Sequence, residues 1–115
     1  MGDRERPLAS IRTRRDFGLA CSEGRKIVGP SFLLFIRPNE LGETRLGIRV
    51  PRKMGGAVIR NRMRRLLREA FRRNQRNLPQ GLDIVAVARE GLEDESRSLL
   101  EGAIREALAK GSLQR

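Results

Sequence analysis

The stretch "KMGGAVIRNRMRRLLREAFRRNQR", Lys53 to Arg76, sets eight arginines against a single glutamate, Glu69. Its apolar residues Val58, Ile59, Met63, Leu66, Leu67, Ala70 and Phe71 recur at spacings of three and four, which predicts an amphipathic helix. Gly55-Gly56 precede the pattern and Pro79 and Gly81 follow it, so the helix is expected from just after Gly56 to about Asn77. Arg60, Arg64, Arg68 and Arg72 step by four beside the apolar stripe, and Arg65, Arg73 and Arg76 widen the basic surface. Like charges at such spacings repel, so an isolated helix gains nothing from them. One face packs, and the other requires countercharge from outside the chain.

The remaining charge sharpens this contrast. The chain has 115 residues and a formal net charge of +11. Residues 1–48 carry a net +3, residues 49–76 carry +10, and residues 77–115 carry −2. A solvated surface normally mixes signs. Charge concentrated on one segment implies a polyanion-binding face. Arginine suits that role because its planar fork binds phosphate bidentately and stacks on bases.

Moving outward, "IVGPSFLLFIRP" and "TRLGIRVP" are β-rich runs separated by the turn-like "PNELGE". Alternation places Phe32, Leu34 and Ile36 on one face of the first strand and Leu33, Phe35 and Arg37 on the other. In the second, Leu46, Ile48 and Val50 share a face, opposite Gly47 and Arg49. Before them, "TRRD" at 13–16 resembles a capping box for a short helix, with Thr13 as cap and Gly24 as stop. After the long helix, "LDIVAVARE" lacks strict alternation and is read as a buried central strand. A final helix is expected from about Asp94 to Lys110, packing through Leu99, Leu100, Ala103, Ile104, Ala107 and Leu108, with Gly111 ending it.

The order helix, strand, strand, helix, strand, helix, with "RKIVGPS" open as a further strand, predicts an α/β (α+β) two-layer sandwich. A small central sheet is crossed by the long Arg-rich helix, and the pattern leaves strand order open. One domain is expected over 1–115, with 1–9 a flexible lead and 111–115 a flexible tail.

Chemistry within the protein is sparse. The chain has no histidine and one cysteine, so neither a Ser/His/Asp nor a Cys/His arrangement can be assembled. Cys21 is read as a small packing or surface residue rather than a nucleophile, and the carboxylates Glu90, Glu93, Asp94 and Glu95 as complements to a helix start rather than a Mg²⁺ site. No metal site and no catalytic residue are expected. The longest apolar run, "FLLFI" at 32–36, is too short for a membrane span, and the amino terminus lacks a signal peptide's apolar core. A cytoplasmic protein without membrane attachment is the expectation.

The segment "KMGGAVIRNRMRRLLREAFR" closely resembles the signature of the bacterial ribonuclease P protein subunit, K-x-G-x-A-V-x-R-N-R-x-K-R-x-x-R-E-x-F-R. Lys53, Gly55, Ala57, Val58, Arg60, Asn61, Arg62, Arg65, Arg68, Glu69, Phe71 and Arg72 match in register, and Arg64 keeps the charge of the usual lysine. "DFGLACSEGRKIVGPSFLLFI", "RLGIRVPRK" and "GLDIVAVAR" extend the resemblance over roughly residues 8–110. Two features depart from it: Cys21 stands where a second aromatic is common, and Pro51-Arg52 replace Ser-Lys.

The resemblance implies a left-handed β-α-β crossover around the arginine helix, although right-handed crossovers are the general rule. It also implies a protein subunit of ribonuclease P, in which a catalytic RNA with its Mg²⁺ ions removes the 5′ leader of precursor tRNA. The protein alone is then inactive and monomeric within the particle. Arg52, Lys53, Arg60, Asn61, Arg62, Arg64, Arg65 and Arg68 are the implied contacts to the catalytic RNA. Phe17, Phe35, Arg37 and Arg89 are the implied contacts to the single-stranded leader, where aromatics stack on bases and arginines reach phosphates. A ribosomal RNA-binding protein is the main alternative. A major-groove DNA reader lacks a helix-turn-helix pair, and a self-sufficient nuclease lacks acid–base residues.

Overall fold

The computed structural model describes residues 8–113. Strand β1 (Ala9–Ser10) is followed by α1 (Arg14–Glu23), β2 (Arg25–Val28), β3 (Phe32–Pro38) and β4 (Arg45–Arg49). Then come α2 (Ala57–Arg73), β5 (Leu82–Ala88) and α3 (Arg97–Leu113), with short 3₁₀ turns at 52–54, 75–77 and 92–94. The five strands form one sheet in the order β1-β4-β5-β3-β2. β4 is parallel to β1 and to β5, whereas β3 is antiparallel to both β5 and β2. Helix α2 thus joins two neighbouring parallel strands, and the apolar run of β5 lies at the centre of the sheet.

Alternation along the strands creates two unlike faces. Phe32, Leu34 and Ile36 of β3, with Ile84, Ala86 and Ala88 of β5, pack beneath α2 and α3. Met63, Leu67, Ala70 and Phe71 of α2 and Leu100, Ile104, Ala107 and Leu108 of α3 complete this core. Phe32 and Phe71 are fully buried. Each such aromatic stabilises the fold by about 1.5–3 kcal/mol through removal from water. The opposite face carries α1 alone. Helix α1 starts where Thr13 Oγ1 accepts the Asp16 N–H at 3.1 Å. It ends where the Gly24 N–H donates to Ala20 O at 2.9 Å.

The run left open as a further strand supplies β2, because Arg25–Val28 register against Ile36–Leu33. Other sequence expectations are corrected. Ala9 belongs to β1 rather than a flexible lead, since its segment pairs with Arg45 and Leu46; residues 1–7 lie outside the described residues. Helix α2 ends at Arg73, and Asn77 falls in a 3₁₀ turn. There, the buried Asn74 amide donates to Ala70 O at 3.0 Å and to Glu101 O at 3.1 Å, stitching the helix end to α3.

Val58 is 83% exposed, Ile59 43% and Leu99 67%, although all three fit apolar stripes. Periodicity identifies a face but not the length of the neighbour that covers it, and the buried part of α2 begins at Met63. The start of α3 is also later than expected, at Arg97, because 92–94 form a separate turn. Gly111 does not end α3, which continues to Leu113. A Cβ at Gly111 would lie 2.6 Å from Ile36 Cδ1, so the glycine serves close helix–sheet approach. The expected tail from 111 therefore begins as helix, and 114–115 lie outside the described residues.

Candidate nucleic-acid interface

The residues implicated in catalytic-RNA contact all lie on α2 or on the turn leading into it. Arg52 and Lys53 project from the turn at 52–54, and both are exposed. Gly55 follows with φ 144°, a conformation that favours glycine. Gly56 supplies no side-chain cap to α2, so the first-turn amides of the helix are left available to an anion. Asn61, Arg62, Arg65 and Arg68 are exposed, while Arg60 and Arg64 are half-buried.

Hydrogen bonds hold the two half-buried guanidiniums in place. Arg60 Nε donates to Gly55 O at 3.1 Å, and Arg64 Nη1 donates to Asn61 Oδ1 at 2.8 Å. Asn61 therefore orients a neighbouring arginine.

The acid in α2 does not relieve its arginines. Glu69 faces Arg97 of α3 at 3.4 Å, and Arg73 reaches Glu101 of α3 at 3.2 Å. Arg62, Arg65, Arg68 and Arg72 have no carboxylate or hydrogen-bond partner among the described residues. Four partnerless guanidiniums along one helix form a strip of uncompensated charge that can neutralise successive phosphates.

The second surface lies across the sheet, where α1 covers only part of the open face. Strand register aligns three cross-strand rows there: Arg45–Asp83–Arg37, Gly47–Val85–Phe35 and Arg49–Val87–Leu33–Val28. Helix α1 lies over the first two. Its Phe17 ring rests on Gly47, where a Cβ would come within 2.7 Å of the ring. Val85 and Ala20 are fully buried between sheet and helix.

Two ion pairs tether α1, with Arg45 Nη2 to Asp16 Oδ2 at 3.1 Å and Arg37 Nε to Glu23 Oε1 at 3.1 Å. The third row remains open. Val87 and Leu33 are half-buried, and Arg49 and Val28 are exposed. The flank of α1, carrying Phe17 and Cys21, stands over this row as the wall of a cleft. Burial pushes the Cys21 thiol up, against the lowering field of Arg49.

The four leader candidates are placed unequally around this cleft. Phe17 forms its wall. Phe35 is half-buried, two strands away from the Gly47 beneath Phe17, or about 10 Å at ordinary strand spacing. Arg89 continues the alternation of β5 beyond Val87 and is exposed, with its N–H on Ser31 O at 3.0 Å. Arg37 lies in the row under α1, bonded to Glu23, and not in the open row. Arg49 occupies that open row and was not singled out from sequence, although alternation in "TRLGIRVP" already put it on the face of Gly47.

Sequence reasoning also missed a buried polar network. Asp83 is 1% exposed, and its Oδ1 accepts from Arg45 Nε at 2.8 Å and Asn39 Nδ2 at 2.8 Å. Its Oδ2 accepts from Arg45 Nη2 at 2.7 Å. Burial alone would raise the Asp83 pKa, but the hydrogen bonds from Arg45 and Asn39 outweigh it and hold the carboxyl below its ordinary range. The same bonds push Arg45 further up. Nothing in a strand pattern reveals such a network, because its members are 38 and 44 residues apart.

A basic helix on one side and an apolar cleft with aromatic and arginine borders on the other define a small α+β RNA-binding protein. The family model described as Ribonuclease P matches residues 6–111. The ribonuclease P protein component of Thermotoga maritima is 42% identical over 98 residues, covering 85% of this chain and 84% of that protein. That of Pelotomaculum thermopropionicum is 35% identical over 94% of this chain and 96% of its own length. The solved RNase P protein from Thermotoga maritima superposes with a TM-score of 0.79 at 35% identity, covering 88% of this chain and 96% of that one. The Staphylococcus aureus RNase P protein gives 0.79 at 26% identity, covering 94% and 99%. The chain belongs to the ribonuclease P protein component family.

Proposed function

We propose that this chain is the protein subunit of ribonuclease P, a ribonuclease that works as a ribonucleoprotein in tRNA 5′ processing. Family membership favours this reading over a ribosomal protein. The observation that carries the mechanism is the strip of α2 arginines that have no partner among the described residues, set on the opposite side of the sheet from the cleft. The strip and the turn at Arg52-Lys53 bind the catalytic RNA, with Arg60 pre-ordered by its bond to Gly55 O and Arg64 by its bond to Asn61. The cleft takes the single-stranded 5′ leader of precursor tRNA. Phe17 and Phe35 offer ring surface to bases, Arg49 and Arg89 reach phosphates, and Arg37 acts through α1.

Hydrolysis of the phosphodiester belongs to the RNA with its Mg²⁺. Among the described residues no three His, Cys, Asp or Glu side chains gather to hold a metal. The protein contributes binding and orientation, which convert an encounter between two polyanions into a positioned complex. It acts as a monomer within the particle, in the cytoplasm.

Reconstitution tests this. The purified chain is mixed with a bacterial ribonuclease P RNA at low Mg²⁺, and precursor tRNA carrying a 5′ leader is added. Mature 5′ ends should appear faster than with RNA alone, and not at all with protein alone. Cleavage by the protein alone, or no stimulation of the RNA, would overturn the reading.

A further inference from the structure

A cavity of about 190 Å³ lies between the β1–β4 edge of the sheet and the second half of α2. Parallel pairing sets Ser10 opposite Leu46 and Ala9 opposite Arg45. Paired residues share a face, so Ser10 and Leu46 point toward α2 while Ala9 offers its backbone. Leu8, Leu46 and Ile48 form apolar walls, and Arg68 and Arg72, one helical turn apart, stand at the rim. Both arginines are exposed and lack a partner among the described residues. The Ile11 N–H is used on Leu46 O at 3.1 Å. Ser10, the residue before it, turns its own backbone groups toward the outer edge, where no described strand follows β1.

We infer that this cavity is a nucleotide pocket of the RNA interface: one unstacked base of the partner RNA enters between the apolar walls, and its phosphate lies on Arg68 and Arg72. The three elements correspond to the three parts of a nucleotide. Apolar walls suit the faces of a base, the hydroxyl and strand edge at Ser10 suit its polar rim, and paired guanidinium forks suit a phosphate. The volume is below the roughly 300 Å³ at which pockets bury drug-sized ligands, so it admits one ring system. A phosphate site alone would not need the walls, and a packing defect would not need the arginines. The inference rests on the proposed RNA-binding function and adds a point contact to what is otherwise backbone neutralisation.

Two measurements on the full chain test it. In an NMR titration, adenosine 5′-monophosphate should shift the methyl signals of Leu8, Leu46 and Ile48, whereas inorganic phosphate should leave them in place. Equal shifts from both, or none from the nucleotide, would overturn the pocket. Ser10→Leu fills the cavity from an exposed position while keeping both arginines. It should weaken binding to ribonuclease P RNA about tenfold, as for the loss of one base contact, with the salt slope unchanged. Ser10→Ala leaves the space open and removes only the rim hydroxyl, so it should lose much less affinity than Ser10→Leu. Unchanged affinity in Ser10→Leu, or an equal loss in Ser10→Ala, would defeat the inference. Failure of wild type to prefer that RNA would instead remove the functional reading, leaving the nucleotide titration to judge the cavity itself.

Discussion

The α2 strip and the α1 side of the sheet both rely on arginine, and they use it in opposite ways. On α2, Arg62, Arg65, Arg68 and Arg72 find no partner among the described residues. Under α1, Arg45 and Arg37 are bonded to carboxylates that tie the helix to the strands. The residue type is the same; what separates binding from scaffolding is whether the fold brings a carboxylate within reach. An unpaired guanidinium is a standing demand for phosphate, whereas a paired one fixes geometry and is largely unavailable. The cleft thus draws its shape from charge and its capture surface from apolar rows, while the strip does the reverse.

The largest effect should come from removing a paired arginine. Arg45→Ala leaves Asp83 as an unpaired charge in the interior, and breaking such a pair costs about 3–5 kcal/mol. Urea unfolding should show this loss, and a change under about 1 kcal/mol would mean the network is not structural. The pH dependence has a definite sign. Because the folded Asp83 carboxyl titrates below its ordinary value of 3.8, its stabilisation is complete above that value. It disappears as pH falls through the lower folded value. Asp83→Asn should lose this acid-dependent increment, which comparison of unfolding curves at neutral and acid pH will reveal.

Next in size is the loss of unpaired arginines. Replacing Arg62, Arg65 and Arg68 together by Ala should weaken RNA binding by roughly 100-fold at moderate salt. It should also lower the salt slope of log K by about 2–3, at 0.7–0.9 per phosphate contact. Thermal stability should barely move. A salt titration with an unaltered slope would show that these side chains do not meet phosphates.

Phe17→Ala should cost about 1–3 kcal/mol in binding leadered substrate, the range for one base–aromatic stack, and leave mature tRNA unaffected. Equal loss for leadered and leaderless RNA would remove Phe17 from leader recognition.

The smallest change is the most discriminating. Arg73 lies on α2 but pairs with Glu101 at the surface. Arg73→Ala should alter stability by less than about 1 kcal/mol and RNA affinity less than Arg65→Ala does. If the two variants lose RNA equally, pairing is not what separates the two arginine classes.

These contrasts were legible in the chain to different degrees. The arginine helix could be read directly, because its apolar period and its charge excess lie within one contiguous segment. The faces of β3 and β4 could also be read, since alternation is local. The motif from Lys53 to Arg72 carried the family. Val58, Ile59 and Leu99 were misplaced into the core because an apolar period does not say where the covering element stops. Gly111 looked like a stop, although the approach of Ile36 explains it.

By itself, then, the sequence determined that one helix would carry the excess charge, that β5 would be buried, and which family the chain joins; each rests on neighbours along the chain. Tertiary structure alone decided the strand order, which arginines are silenced by carboxylates, and which row of the sheet α1 leaves open. Those outcomes depend on distances between residues far apart in sequence, such as Arg45 and Asp83, and such distances exist only once the chain has closed on itself.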